Sequence, residues 1–216
     1  MDYETIMRFT MEMVGTVAFA ISGAMVGVEQ NMDIFGVGVL GVVTSVGGGM
    51  IRDIVLGIIP PAVFIHPVYA LVATITSFIV FFIFYFNKEF LNGNFGDKFS
   101  RLMLAMDSIG LGIFTVVGVN TGIRQGYSDN LFLLVFLGTI TGVGGGLLRD
   151  VMAGVPPYIF VKHIYACASI VGAIVCVFMH RTHGSIYAMA VSSAVVILIR
   201  FLAAHYRWNL PRMDKK

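Results

Sequence analysis

Thr44-Ser45-Val46-Gly47-Gly48-Gly49-Met50-Ile51-Arg52-Asp53 decides how this chain is read, because the stretch occurs twice. Ninety-seven residues on, the chain runs Thr141-Gly142-Val143-Gly144-Gly145-Gly146-Leu147-Leu148-Arg149-Asp150. Between Gly41–Gly57 and Gly138–Gly154, nine of seventeen positions are identical. A Pro-Pro pair follows each copy, Pro60-Pro61 and Pro156-Pro157. After a one-residue deletion the match resumes at Phe64/Phe160, Tyr69/Tyr165 and Ala70/Ala166. Upstream, Glu12/Asp107, Gly15/Gly110, Phe19/Phe114, Gly23/Gly118 and Gly27/Gly122 correspond at an offset of 95. Each helical glycine costs about 1 kcal/mol relative to alanine. Three in a row, kept in both copies, therefore predict a helix that breaks at Gly47–Gly49 and again at Gly144–Gly146.

Composition sets the solvent. Of 216 residues, 57% are hydrophobic and 12% charged, with a mean hydropathy of +0.88. Soluble domains carry about 25% charged residues, so this chain is expected in a bilayer. A formal charge of +2 gives no reason to expect nucleic acid. Cys167 and Cys176 lie roughly 13 Å apart along one apolar helix at 1.5 Å rise per residue, too far for a disulfide. Met1-Asp2-Tyr3-Glu4 lacks the basic start of a signal peptide, so the first apolar segment is read as retained.

A spanning helix needs about 20 mostly apolar residues. Seven segments qualify: 7–28, 34–58, 63–86, 102–122, 131–155, 159–179 and 184–204. The expected fold is a single all-α membrane domain over 1–216. It comprises one three-helix repeat at 7–86, a second at 102–179, and a seventh helix at 184–204. The polar stretch 87–101, with Asn92-Gly93-Asn94, links the repeats. Three helices per repeat is an odd number, so the second repeat enters the membrane from the opposite side, an arrangement that usually places a substrate or ion path at the repeat interface. Gly23/Gly27 and Gly118/Gly122 are spaced for close helix contact. Lysine and arginine set the orientation. With the N-terminus outside, the inner flanks carry nine (Lys88, Lys98, Arg101, Lys162, Arg200, Arg207, Arg212, Lys215, Lys216) and the outer flanks three (Arg8, Arg124, Arg181). The N-terminus is expected outside and the C-terminus in the cytoplasm.

Few residues are candidates for chemistry. The glycine run lacks the Lys-Ser/Thr of a phosphate loop and does not bridge a strand and a helix. Broken helices would expose backbone oxygen and nitrogen, tolerated at membrane depth only where protein buries them or a water cavity meets them. Thr44, Ser45 and Thr141 could add hydroxyl oxygens to a cation there, or bond back to carbonyls of their own helix. Gly36, Gly38, Gly41 and Gly138 give a small-residue face for packing or for a lumen. Charges inside a bilayer need partners, and adjacent helix residues do not face each other. Arg52 is therefore expected to pair with Glu12, and Arg149 with Asp107; Asp53 and Asp150 complete the ionisable set. Lys162 takes the place of His66 and could bind a lipid phosphate, stand at a pore entrance, or snorkel. The histidines and cysteines show no metal-ligand spacing. No nucleophile–base arrangement supports an enzyme, and no cofactor is expected.

Two copies of Gly-Gly-Gly-x-x-Arg-Asp, each followed by Pro-Pro on a seven-span chain, resemble the prokaryotic trimeric intracellular cation (TRIC) channel family, also classed as a bacterial glycine transporter domain family. Phe19-Ala20-Ile21-Ser22-Gly23-Ala24 is similar to the family's first-helix pattern. The resemblance implies a homotrimer in the plasma (inner) membrane, each protomer with its own pore between the two glycine-bearing helices, permeable to monovalent cations and chiefly potassium. The animal members' lysine-containing lipid-binding motif on the second helix is replaced here by an intact Gly-Gly-Gly. The alternative is a secondary transporter of glycine or another small solute. Carriers usually place an ionisable residue at mid-depth, whereas the acids here lie near helix ends.

Overall fold

In lipid a segment must satisfy its own backbone N–H and C=O groups, so long apolar runs become helices. The computed structural model describes residues 3–87, 96–161 and 164–208. Among these are α1 (Tyr3–Glu29), α2 (Ile34–Val55), α3 (Ala62–Ile65), α4 (Val68–Phe86), α5 (Gly96–Arg124), α6 (Leu131–Met152), α7 (Tyr158–Val161), α8 (Tyr165–His183) and α9 (Ser185–His205). Seven of them are long and apolar enough to cross a membrane, and the chain is an all-α multi-pass membrane protein. Lys162, most of the linker with Asn92-Gly93-Asn94, and the tail 209–216 lie outside the described residues.

Several expected boundaries move. The third and sixth segments each divide: α3 and α4 flank His66-Pro67, and α7 precedes α8. Proline has no N–H to continue a helix and suits a helix start. The fourth segment begins earlier than expected, at Gly96, which shortens the linker.

The repeated stretches build the same local structure twice. Asp33 caps α2 by accepting the Gly36 N–H at 2.7 Å, and Asn130 caps α6 by accepting the Leu133 N–H at 3.0 Å. Both helices end in a left-handed glycine, Gly57 and Gly154, each with φ +69°. Ile58 N–H then reaches the Asp53 carbonyl at 2.9 Å, and Val155 N–H that of Asp150 at 3.0 Å. This is the glycine-terminated helix end that satisfies the last free carbonyls. It also stops both helices three residues short of the expected limits.

The glycine triplets do not break these helices. α2 runs unbroken through Gly47–Gly49, and α6 through Gly144–Gly146. The glycines instead clear a ridge where the two helices cross. A Cβ on Gly48 would overlap the Thr141 carbonyl oxygen, and one on Gly145 would overlap that of Thr44. Close approach of this kind brings packing and weak Cα–H···O contacts. Keeping the helix intact also avoids unsatisfied backbone in lipid. Together these offset the low helix propensity on which the expected break rested.

The same reciprocity recurs in the core. Phe19 of α1 packs where Gly110 of α5 lacks a side chain, and Phe114 of α5 lies against Gly15 of α1. The two rings are 5.3 Å apart. Gly23 faces Thr44 and Gly118 faces Thr141, so each glycine pair joins α1 to α2 or α5 to α6. Gly41 and Gly138 face the backbone of α1 and α5 at Ala20 and Thr115, so they serve packing and not a lumen.

Candidate functional site

Arg149 lies wholly buried on α6 at the centre of an ionic cluster. Its Nη1 is 2.8 Å from Asp107 Oδ1 on α5 and 2.6 Å from Ser22 Oγ on α1. Its Nε donates to Asp150 Oδ1 at 2.8 Å. The Tyr165 hydroxyl of α8 donates to Asp107 Oδ1 at 3.3 Å. From α9, Arg200 places Nη2 3.7 Å from Asp107 Oδ2 and its guanidinium 4.7 Å from the Tyr165 ring centre. Arg149, Asp107 and Arg200 are at most 1% exposed. Two cations and two carboxylates thus share one buried site, and each offsets part of the cost of burying another.

The first half holds a cluster of the same residue types, paired differently. Arg52 donates to Asp53 Oδ1 from Nε at 2.9 Å and from Nη2 at 2.7 Å. Glu12 accepts from the Tyr69 hydroxyl. The expected Arg52–Glu12 pair is therefore replaced by Arg52–Asp53. Neighbours on a helix start on different faces, but a long arginine in the last turn can fold round to the next residue. Asp150 does the same for Arg149, in addition to Asp107. The second oxygen of each aspartate ties down backbone. Asp53 Oδ2 accepts the Ala62 N–H and Asp150 Oδ2 the Tyr158 N–H, both at 2.8 Å. Each Arg-Asp pair thereby anchors the short helix beyond its Pro-Pro turn.

Each cluster adjoins a cavity. The first, about 270 Å³, lies at the start of α1 and the end of α5, beside α3, and is bordered by Arg8, Glu12, Arg52, Tyr69 and Gln125. The second, about 590 Å³, lies at the end of α1 and the start of α5, beside α7, and is bordered by Gln30, Arg101, Asp150, Tyr158 and Arg200. The cavities therefore open toward opposite ends of the helices. Their walls correspond in part: Arg8/Met103, Asp53/Asp150, Ile58/Val155, Ala62/Tyr158, Thr121/Val26 and Gln125/Gln30 are matched repeat positions. His66 borders the first cavity.

Between the cavities stands the α2–α6 crossing. The hydroxyls expected there are engaged by backbone: Thr44 donates to Leu40 O at 2.6 Å and Thr141 to Leu137 O at 2.5 Å. Ser45 reaches Gly41 O at 2.9 Å and Thr16 O at 3.0 Å, while also bordering the first cavity. Gly49 borders that cavity too, whereas Gly144–Gly146 are buried. Among the described residues, no group of three or more His, Cys, Asp or Glu is placed to hold a metal.

Sequence reasoning left out Tyr69, Tyr165, Ser22 and Arg200. The tyrosines were visible as a repeat match without a role. Arg200 was counted among the inner flank charges, although its neighbours Ile197-Leu198-Ile199 and Phe201-Leu202 place it inside an apolar run. That setting is the signal of a buried, partnered arginine.

Comparison with known proteins follows the same division into halves. The family model described as "Glycine transporter" matches residues 9–85 and 104–181. The UPF0126 inner membrane protein YadS of Escherichia coli is 36% identical over 210 residues, covering 94% of each chain. The UPF0126 membrane protein YvgT of Bacillus subtilis is 31% identical over 201 residues, covering 93% of this chain and 94% of its own. A TRIC cation channel solved in a study of conductance superposes with a TM-score of 0.81 at 35% identity, over 96% of this chain and 97% of its own. The TRIC trimeric intracellular cation channel orthologue from Rhodobacter sphaeroides gives 0.83 at 29% identity, over 93% and 98%. These structural neighbours are described as cation channels. With both halves matched by one family model and nearly its whole length shared with such structures, the chain belongs to the glycine-transporter, or prokaryotic TRIC, family.

Proposed function

We propose that the chain is a monovalent cation channel, potassium-permeable, assembled as a homotrimer with one path in each protomer. The observation that carries this reading is the pair of matched cavities, which approach the α2–α6 crossing from opposite ends. A cation leaving water needs oxygen ligands. The carbonyl oxygens of Thr44 and Thr141 pack against Gly145 and Gly48 of the opposite helix, which places backbone oxygen at the crossing. The path runs past Thr44, Ser45 and Gly47–Gly49 on α2 and past Thr141 and Gly144–Gly146 on α6. Pairing of Arg52 and Arg149 with carboxylates removes positive charge that would repel a cation. The structural neighbours described as cation channels, one of them as trimeric, support the same reading.

The two three-helix halves are taken as inverted repeats. The inner membrane is the expected location, as for YadS, with the N-terminus outside and the α7 cavity facing the cytoplasm. The second reading is a carrier for glycine or a similar zwitterion. It draws on the family model's description and on the opposite charges of Glu12 and Arg8 at the first cavity. Flux into liposomes with purified protein separates the two. Non-saturating potassium flux supports the channel, while saturable glycine uptake with counterflow overturns it.

A further inference from the structure

The two cavities share six matched wall positions but reach unequal depth. At the α3 end the cavity continues inward past Tyr69, Glu12 and Gly49 to Val46. The matched residues in the other half, Asp107, Val143, Gly146 and Tyr165, are buried and do not border the second cavity. Two side chains account for the difference. Tyr158 stands where the first half has Ala62, and its ring lies 5.1 Å from the Arg149 guanidinium. Its hydroxyl approaches Met103 Sδ at 3.9 Å, on the opposite wall. Arg200 comes from α9, which is outside the repeat. It lies over the Tyr165 ring and reaches toward Asp107. Tyr158 and Arg200 both border the second cavity, with Asp150 beside them, and Asp107, Arg149 and Tyr165 lie behind this floor.

We propose that Tyr158 and Arg200 are a plug that closes the α7 end of the path above the Asp107–Arg149 pair, and that the path opens when they withdraw. The α3 end, with alanine in place of tyrosine, stays open. A plug fits the chemistry of these contacts. A guanidinium against a ring face is held by electrostatics without interlocked packing, and short α7 is anchored through the Tyr158 N–H to Asp150. The side chain can then swing while its backbone stays fixed. The plug rests on reading the two cavities as ends of one path.

The test uses matched cysteines in full-length protein whose Cys167 and Cys176 have been replaced by alanine. Val46→Cys and Val143→Cys occupy equivalent positions, the first bordering the open cavity and the second buried. In a water-soluble methanethiosulfonate reagent, Val46→Cys should react readily and Val143→Cys slowly. Adding Tyr158→Ala should speed modification of Val143→Cys about tenfold, the factor that corresponds to 1.4 kcal/mol of opening free energy. Arg200→Met should act in the same direction and serves if Tyr158→Ala does not fold. The converse substitution, Ala62→Tyr, should slow Val46→Cys. Protection of Val143→Cys that survives both opening substitutions in cooperatively melting protein overturns the plug. So does Val46→Cys reactivity unchanged by Ala62→Tyr. Potassium flux through the same proteins is read separately. Faster labelling without faster flux keeps the plug and refutes the channel.

Discussion

Replacing Asp107 by asparagine should be among the most damaging single substitutions in the membrane domain, and the structure specifies what repairs it. The change keeps the shape but leaves Arg149 and Arg200 buried with Asp150 as the carboxylate beside them. Stranding one charge of a buried pair costs roughly 3–5 kcal/mol. Coulomb's law at an effective dielectric of 20 gives a similar figure, about 4 kcal/mol for unit charges about 4 Å apart. At about 2–4 °C per kcal/mol for a chain of this size, melting in detergent should fall by roughly 10 °C. Repair should come from Arg200→Met and not from Arg149→Leu. Removing Arg200 restores neutrality and leaves Arg149 and Asp150 paired at 2.8 Å. Removing Arg149 instead strands Asp150. A double-mutant cycle read by thermal unfolding should show a favourable coupling of about 2 kcal/mol or more for Asp107→Asn with Arg200→Met. Additive losses for that pair would refute the shared cluster.

Three further expectations rest on the same geometry. Glu12→Gln should cost no more than about 1 kcal/mol, since the amide oxygen still accepts from Tyr69 and the cavity lets water reach the site; a melting loss as large as that of Asp107→Asn would remove the asymmetry between the halves. Gly48→Leu or Gly145→Leu should abolish potassium flux, because even a Cβ there overlaps the facing carbonyl, and overpacking of this kind costs about 1–3 kcal/mol in stability; normal flux from correctly assembled mutant protein would exclude this route. Reporter fusions at Lys216 and within 92–96 should both report the cytoplasm, and an external signal at either would break the inverted-repeat topology.

The sequence exposed the repeat because its constraints are local in residue type. Glycine at Gly48 and Gly145, and the Arg-Asp pairs beyond them, admit few substitutes for close crossing and helix anchoring. The same glycines misled on local structure, because propensity describes an isolated helix, and here the neighbouring helix decides. Arg149 with Asp107 was legible from charge, repeat position and depth. Arg52 with Asp53 was not, since helix geometry places adjacent residues on different faces and only side-chain length brings them together. Arg200 looked like an interfacial cation by sequence position, and its burial depends on how α9 packs against α5. The plug was equally hidden. Its tyrosine differs from Ala62 at a matched position, but whether Tyr158 points into a cavity or to lipid is a matter of tertiary placement.

The central claim, that this chain conducts cations, is tested most directly by planar-bilayer recording of the purified protein across a potassium chloride gradient. Discrete unitary currents are expected, with a reversal potential toward the potassium equilibrium potential. A reversal potential at the chloride value, or the absence of unitary current from protein that carries out saturable glycine counterflow, would contradict it.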